Sequence, residues 1–130
     1  MNFPENIRYT EDHEWIRIEE GNIAYIGITD FAQSELGELV YIEVETIEED
    51  VAAGDVFGTV EAVKTTSDLL MPVAGKIIAF NPKIDEAEGD DPTLVNSDPY
   101  GEGWIVKVEL ENLADVENLL TVEAYKEIVG

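Results

Sequence analysis

Cysteine is absent from these 130 residues, which removes disulfides, thiolate metal sites and a cysteine nucleophile together. The absence suits a reducing compartment. Basic residues are scarce: seven Lys and Arg stand against thirty Asp and Glu, for a formal charge of −23. Nucleic acids and anionic membrane surfaces are both held through Lys and Arg, so neither fits this chain as a ligand. The acidity has two readings, steering toward partners with basic rims or simple solubility, in a salty cytoplasm for example. Long apolar runs are also missing, and no stretch approaches the run of about 20 residues that spans a bilayer. Met1-Asn2-Phe3-Pro4-Glu5-Asn6 has neither the basic patch nor the apolar core of a signal peptide, and it lacks the Arg-rich, acid-poor character of a transit peptide. A cytoplasmic setting is expected, although a mature mitochondrial matrix form would read the same. At this length a single domain over 1–130 can bury a core without staples.

What is present is alternation. Trp15-Ile16-Arg17-Ile18 and Ile23-Ala24-Tyr25-Ile26 flank a polar Glu19-Glu20-Gly21-Asn22 turn and predict an opening hairpin. From Thr29 to Gly37 the pattern predicts a helix of about two turns, with Thr29 or Asp30 as its cap and Gly37 as its stop. Leu39 to Val44 predicts a strand, 45–55 an acidic connection, Pro72 to Gly75 a turn, and Lys76 to Phe80 another strand. The longest irregular stretch is 81–99. Trp104 to Glu109 predicts a closing strand, and 114–120 and 121–129 two helical segments, the second capped by Thr121. Many short strands with few helices indicate a sandwich or flattened barrel.

Among so few cations, Lys64 stands out within Val60-Glu61-Ala62-Val63-Lys64-Thr65-Thr66-Ser67-Asp68. Apolar residues lie on both sides of it, with Gly54 ten residues before and Gly75 eleven after. Two strands joined through Lys64 to Asp68 form a hairpin that holds one amine at an exposed, defined point. On spacing alone this is either a solvated charge or a site for attaching a prosthetic arm.

Glu61-x-x-Lys64-x-x-x-Asp68, followed by Pro72 and Gly75, resembles the attachment hairpin of lipoyl carrier domains. The form Val-Glu-Ala-Val-Lys-Thr-Thr-Ser-Asp is similar to the H-protein family of the glycine cleavage system. Tyr9 to Trp15, Gly27 to Gln33 and Asn96 to Trp104 resemble further signatures of that family, in family order, so the likeness covers nearly the whole chain. It implies a mostly β lipoyl-domain fold, a barrel-sandwich hybrid, with a short internal helix and C-terminal helices. It implies lipoic acid on Lys64 as lipoyllysine, with Glu61 and Asp68 flanking the site and the glutamate helping to position the lysine. The implied partners are glycine decarboxylase with its pyridoxal phosphate, an aminomethyltransferase using tetrahydrofolate, dihydrolipoamide dehydrogenase, and a lipoate ligase or lipoyltransferase. The first would load an aminomethyl group, the second remove its one-carbon unit, and the third reoxidise the carrier. The chain itself would be a non-enzymatic carrier that docks its loaded arm on its own surface. Against the family pattern, 82–91 reads as several residues longer than usual, an acidic surplus that a surface loop tolerates.

Other candidates carry less. His13, the only histidine, lies between Asp12 and Glu14, but no serine sits in a Gly-x-Ser-x-Gly elbow, so a hydrolase is disfavoured and His13 is expected to satisfy backbone or carboxylate partners. The oxygen-rich 85–91 lacks the spacing of a calcium loop, and no metal site is expected. The Asn96 to Trp104 loop is either pinned in the core by Trp104 or forms a rim of the arm's cleft. The alternative function is an H-like lipoyl donor or relay for other lipoate-dependent enzymes. A biotinyl carrier would want methionines where Val63 and Thr65 stand, and an unmodified acidic module would carry no cofactor.

Overall fold

Residues 2–129 are described by the computed structural model. In chain order they form β1 (Arg8–Tyr9), β2 (Glu14–Glu20), β3 (Ile23–Ile28), α1 (Asp30–Leu36), β4 (Leu39–Glu43), β5 (Asp50–Val51), β6 (Val56–Ala62), β7 (Thr66–Leu70), β8 (Gly75–Phe80), α2 (Leu94–Ser97), β9 (Val106–Leu110), a 3₁₀ segment (Leu113–Asn118) and α3 (Val122–Val129). A six-stranded sheet runs β1-β2-β3-β9-β8-β5 and a three-stranded sheet runs β4-β6-β7, every pairing antiparallel. The architecture is mostly β, a flattened barrel-sandwich with a few added helices.

Alternation explains the layering. Val106, Val108 and Leu110 of β9 are buried while Lys107 and Glu109 point away, as the two-residue period of a strand requires. Ile16, Ile26, Ile77 and Val108 from the larger sheet share one core with Leu39, Ile42, Val60 and Leu69 from the smaller one. Each such side chain contributes about 1.5–3 kcal/mol through burial. A second, aromatic cluster lies beneath the C-terminal helix and joins Tyr9, Trp15, Tyr100 and Tyr125. There Tyr9 and Tyr125 stack with centroids 4.5 Å apart. Tyr9 and Leu120 exchange both backbone hydrogen bonds, at 3.0 and 2.9 Å, which ties the C-terminal segment to β1.

The differences from the sequence reading have local causes. β1 and β5, two residues each, are too short to show alternation, and α2 occupies a single turn within the stretch expected to be irregular. The closing strand starts at Val106 rather than Trp104. The Asn81 side-chain amide takes the Trp104 carbonyl at 2.7 Å and that of Glu102 at 2.8 Å, which withdraws Trp104 from the ladder. Trp104 is half-buried against Tyr25 at 4.8 Å, so the loop's buried anchor is Tyr100 instead. The hairpin turn is Val63 to Thr65, because Thr66, Ser67 and Asp68 already belong to β7.

Candidate functional site

β6 and β7 pair in the register Thr59↔Asp68, Val60↔Ser67 and Glu61↔Thr66. The Ala62 N–H donates to the Thr65 carbonyl at 2.7 Å and closes the turn. Val60, Ala62 and Leu69 face the core, so Glu61 points outward and Lys64 stands exposed on the turn. The turn does not hang free. The Val63 N–H donates to the Glu38 carbonyl at 3.1 Å, which binds the turn to the segment that leaves α1.

That segment is built for the contact. Thr29 caps α1 by accepting from the Ala32 N–H, and Gly37 ends it at φ 81° with its N–H on the Gln33 carbonyl. A left-handed residue at a helix C-terminus is normally glycine. Here glycine also serves the lysine, since a Cβ at position 37 would lie 3.4 Å from Lys64 Cε and 3.8 Å from Nζ. The lysine stem therefore lies across the end of α1, where unpaired helix carbonyls favour a cation. No basic residue lies in the last turn of α1 itself.

Glu61 and Asp68 are both exposed, and neither pairs with Lys64. Among the described residues the ion pair within 4 Å is Lys83 with Glu102. Asp68 instead lines a cleft of about 280 Å³ that opens beside the hairpin. The cleft is lined by the apolar Ile28, Phe31, Ala32, Leu36, Val60 and Leu69 and by the polar Asp12, His13, Glu14, Glu35, Ser67 and Asp68. Leu36 precedes the glycine under the lysine stem, and Ser67 follows Lys64 by three residues. At about 3.3 Å per strand residue the cleft begins within roughly 10 Å of the lysine.

Two groups in the cleft are electrostatically unusual. Glu14 is 2 % exposed, and burial pushes its carboxyl up to about 7 despite hydrogen bonds from the Leu70 N–H and the Thr10 hydroxyl. Burial also lowers the His13 pKa, opposed by the nearby carboxylates of Asp12 and Glu35, so the imidazole is neutral at pH 7. His13 sits at φ 70°, a conformation that costs a β-carbon residue on the order of 1 kcal/mol. Its N–H donates to the Thr10 carbonyl at 3.1 Å and its carbonyl accepts from the Thr29 N–H at 3.0 Å, which holds it there. Its Nδ1 lies 2.9 Å from the Tyr125 hydroxyl, and that hydroxyl lies 2.7 Å from Thr29 Oγ1. The partner expected from backbone or carboxylate groups is thus a phenol supplied by α3.

Sequence reasoning missed Glu14 and Gly37. Glu14 carried a readable signal, being in phase with Ile16 on β2 and so directed to the inner side of the sheet. Gly37 was recognised as a helix stop, but its contact with Lys64 depends on the three-dimensional meeting of α1 and the hairpin.

The family model for the glycine cleavage H-protein matches residues 7–130. A glycine cleavage system H protein of Bacteroides fragilis is 54 % identical over 100 % of this chain and 99 % of its own length. One from Chlorobaculum tepidum is 54 % identical with the same coverage. The crystal structure of a glycine cleavage system H protein from Mycobacterium marinum superposes with a TM-score of 0.83, at 38 % identity, covering 95 % of this chain and 96 % of that one.

Proposed function

Because the chain belongs to the glycine cleavage H-protein family and is a lipoyl carrier of the glycine cleavage system, we propose that Lys64 bears the lipoyl group and that the neighbouring cleft shelters the loaded arm. The observation that carries the assignment is the placing of one amine. Lys64 is the lysine on an exposed hairpin turn, held there by Val63 N–H on Glu38 and by its own stem on Gly37. The other lysines are differently placed. Lys76 is half-buried on β8, Lys83 pairs with Glu102, and Lys107 and Lys126 lie over the rings of Tyr25 and Phe3. Glu61 lies two residues before the turn and offers a carboxylate to the attaching enzyme.

The residues present fit a lipoyl group. Lys64 Nζ gives up a proton and forms an amide with the lipoyl carboxyl, which a ligase or transferase presents in activated form; from an acyl adenylate the leaving group is AMP. Acylation removes the ammonium charge and leaves a flexible apolar arm rooted at the mouth of an apolar cleft. Once bound, the group supplies a dithiolane that accepts an aminomethyl unit and two electrons. The chain's residues then bind and shield. Phe31, Leu36 and Leu69 cover the hydrocarbon and exclude water, while the exposed Asp12 and Asp68 present carboxylate oxygens to a cationic amine. Tethering raises the effective concentration of the carried group at each partner.

In this reading residues 1–130 act as one carrier unit without catalytic residues of their own, working in the cytoplasm. The partners are glycine decarboxylase, aminomethyltransferase, dihydrolipoamide dehydrogenase and the lipoate-attaching enzyme. Lys64→Arg tests it. Arginine keeps the charge, but its guanidinium stays protonated and does not accept the acyl group. The variant should melt with the wild type, since such surface changes cost less than about 0.5 kcal/mol, yet show no mass gain with lipoate ligase and no support of glycine decarboxylation. Lipoate uptake by the arginine variant would place the attachment elsewhere.

A further inference from the structure

We propose that Asn96 is a positioning residue of the attachment turn, setting where the Lys64 amine stands for the enzyme that acylates it; the inference rests on Lys64 being the attachment residue. Asn96 belongs to α2, which is anchored in the main core by the fully buried Val95. Its Nδ2 donates to the Gly37 carbonyl at 2.8 Å and to Gln33 Oε1 at 2.9 Å, while its Oδ1 accepts from the Leu39 N–H at 3.0 Å. Reversing the amide would set donor against donor at Leu39 and acceptor against acceptor at Gly37, so one orientation satisfies all three bonds.

These bonds grip the chain on both sides of Glu38. The Glu38 carbonyl between them is the acceptor for Val63 N–H, and Gly37 is the surface on which the Lys64 stem rests. One side chain, 59 and 57 residues distant in sequence from the two groups it holds, therefore fixes both supports of the turn. No other side chain of the described residues hydrogen-bonds the backbone of Gly37, Glu38 or Leu39. Without Asn96 the Gly37 carbonyl and Leu39 amide turn to water and the strip frays locally, while Leu39 and Val95 keep their core packing. An amine on a frayed turn reaches the geometry for acyl transfer less often, so the loss falls on turnover more than on binding.

The test uses the unacylated protein with purified lipoate ligase, lipoic acid and ATP, followed by intact mass, together with amide hydrogen exchange by NMR. For Asn96→Ala we expect faster exchange at Val63, unchanged exchange at Ile26 and Val108, and about a five- to tenfold lower kcat/KM for lipoylation, carried mainly by kcat. Asn96→Asp keeps the acceptor for Leu39 but sets a carboxylate oxygen against the Gly37 carbonyl; it should raise exchange at Val63 and lower kcat/KM at least as far as alanine does, and it carries the test if the alanine variant does not fold. Wild-type exchange at Val63, or wild-type kcat/KM in a folded variant, would overturn the inference while leaving Lys64 as the attachment residue. Exchange that rises equally at Val63, Ile26 and Val108 would also overturn it, by making Asn96 a general structural residue. Failure of the wild type itself to gain lipoyl mass at Lys64 would overturn the carrier assignment and this inference with it.

Discussion

Replacing Glu14 by glutamine should change the way stability depends on pH. The carboxyl is 2 % exposed, and burial raises its pKa from 4.5 to about 7. The folded protein thus holds a proton that the unfolded chain releases between those values. Stability contributed by this group is present below pH 4.5, is lost as pH rises through 7, and stays lost above. The full difference corresponds to about 3 kcal/mol. Glutamine removes the titration and keeps the Leu70 bond, its carbonyl accepting from the Leu70 N–H, now 3.3 Å from Glu14 Oε2. The half-buried Thr10 hydroxyl, which donates to Oε1 at 3.0 Å, loses that acceptor, a cost that is the same at both pH values and cancels in the comparison. Urea unfolding followed by tryptophan fluorescence at pH 5 and pH 8, in both proteins, isolates the effect, because the other carboxylates cancel in the difference. The variant should gain about 2–3 kcal/mol on the wild type between the two pH values. The same difference at both would refute a raised Glu14 pKa and the electrostatic picture of the cleft built on it.

Gly37→Ala puts a Cβ 3.4 Å from Lys64 Cε at φ 81°; it should cost about 1 kcal/mol in denaturant titrations and slow lipoylation. Gly27→Ala drives a Cβ to 2.8 Å from the Trp15 ring, so a destabilisation of about 1–3 kcal/mol is expected, with a changed tryptophan spectrum. Tyr125→Phe leaves the stack on Tyr9 and removes the hydroxyl shared by His13 and Thr29. It should lower stability by about 1–2 kcal/mol and shift the His13 ring resonances in NMR. Association with the partner enzymes should weaken with rising salt, since a net charge of −23 acts through fields screened over about 8 Å at physiological ionic strength; affinity that stays flat between low and high salt would exclude electrostatic docking.

The sequence by itself determined the mostly β architecture and the position of the hairpin turn that carries Lys64. The reason is local: alternation in β3, in the second half of β6 and in β9 records which face each residue buries, and the polar run from Lys64 leaves the lysine outside the core. The capped helix Thr29 to Gly37 was legible for the same reason, since a cap and a left-handed stop are written in single residues. The strands β1 and β5 and the one-turn α2 were not, being too short for a period to emerge. The tertiary structure alone decided what surrounds the lysine. Glu14 becomes a protonatable acid because the folded chain buries it, against the hydrogen bonds from Leu70 and Thr10, which nothing in Asp-His-Glu-Trp specifies. His13 meets Tyr125, and Asn96 meets Gly37 and Leu39, across 112, 59 and 57 residues. Contacts at such separations are set by how two sheets and three helices close on a shared core, and no pattern along the chain encodes them.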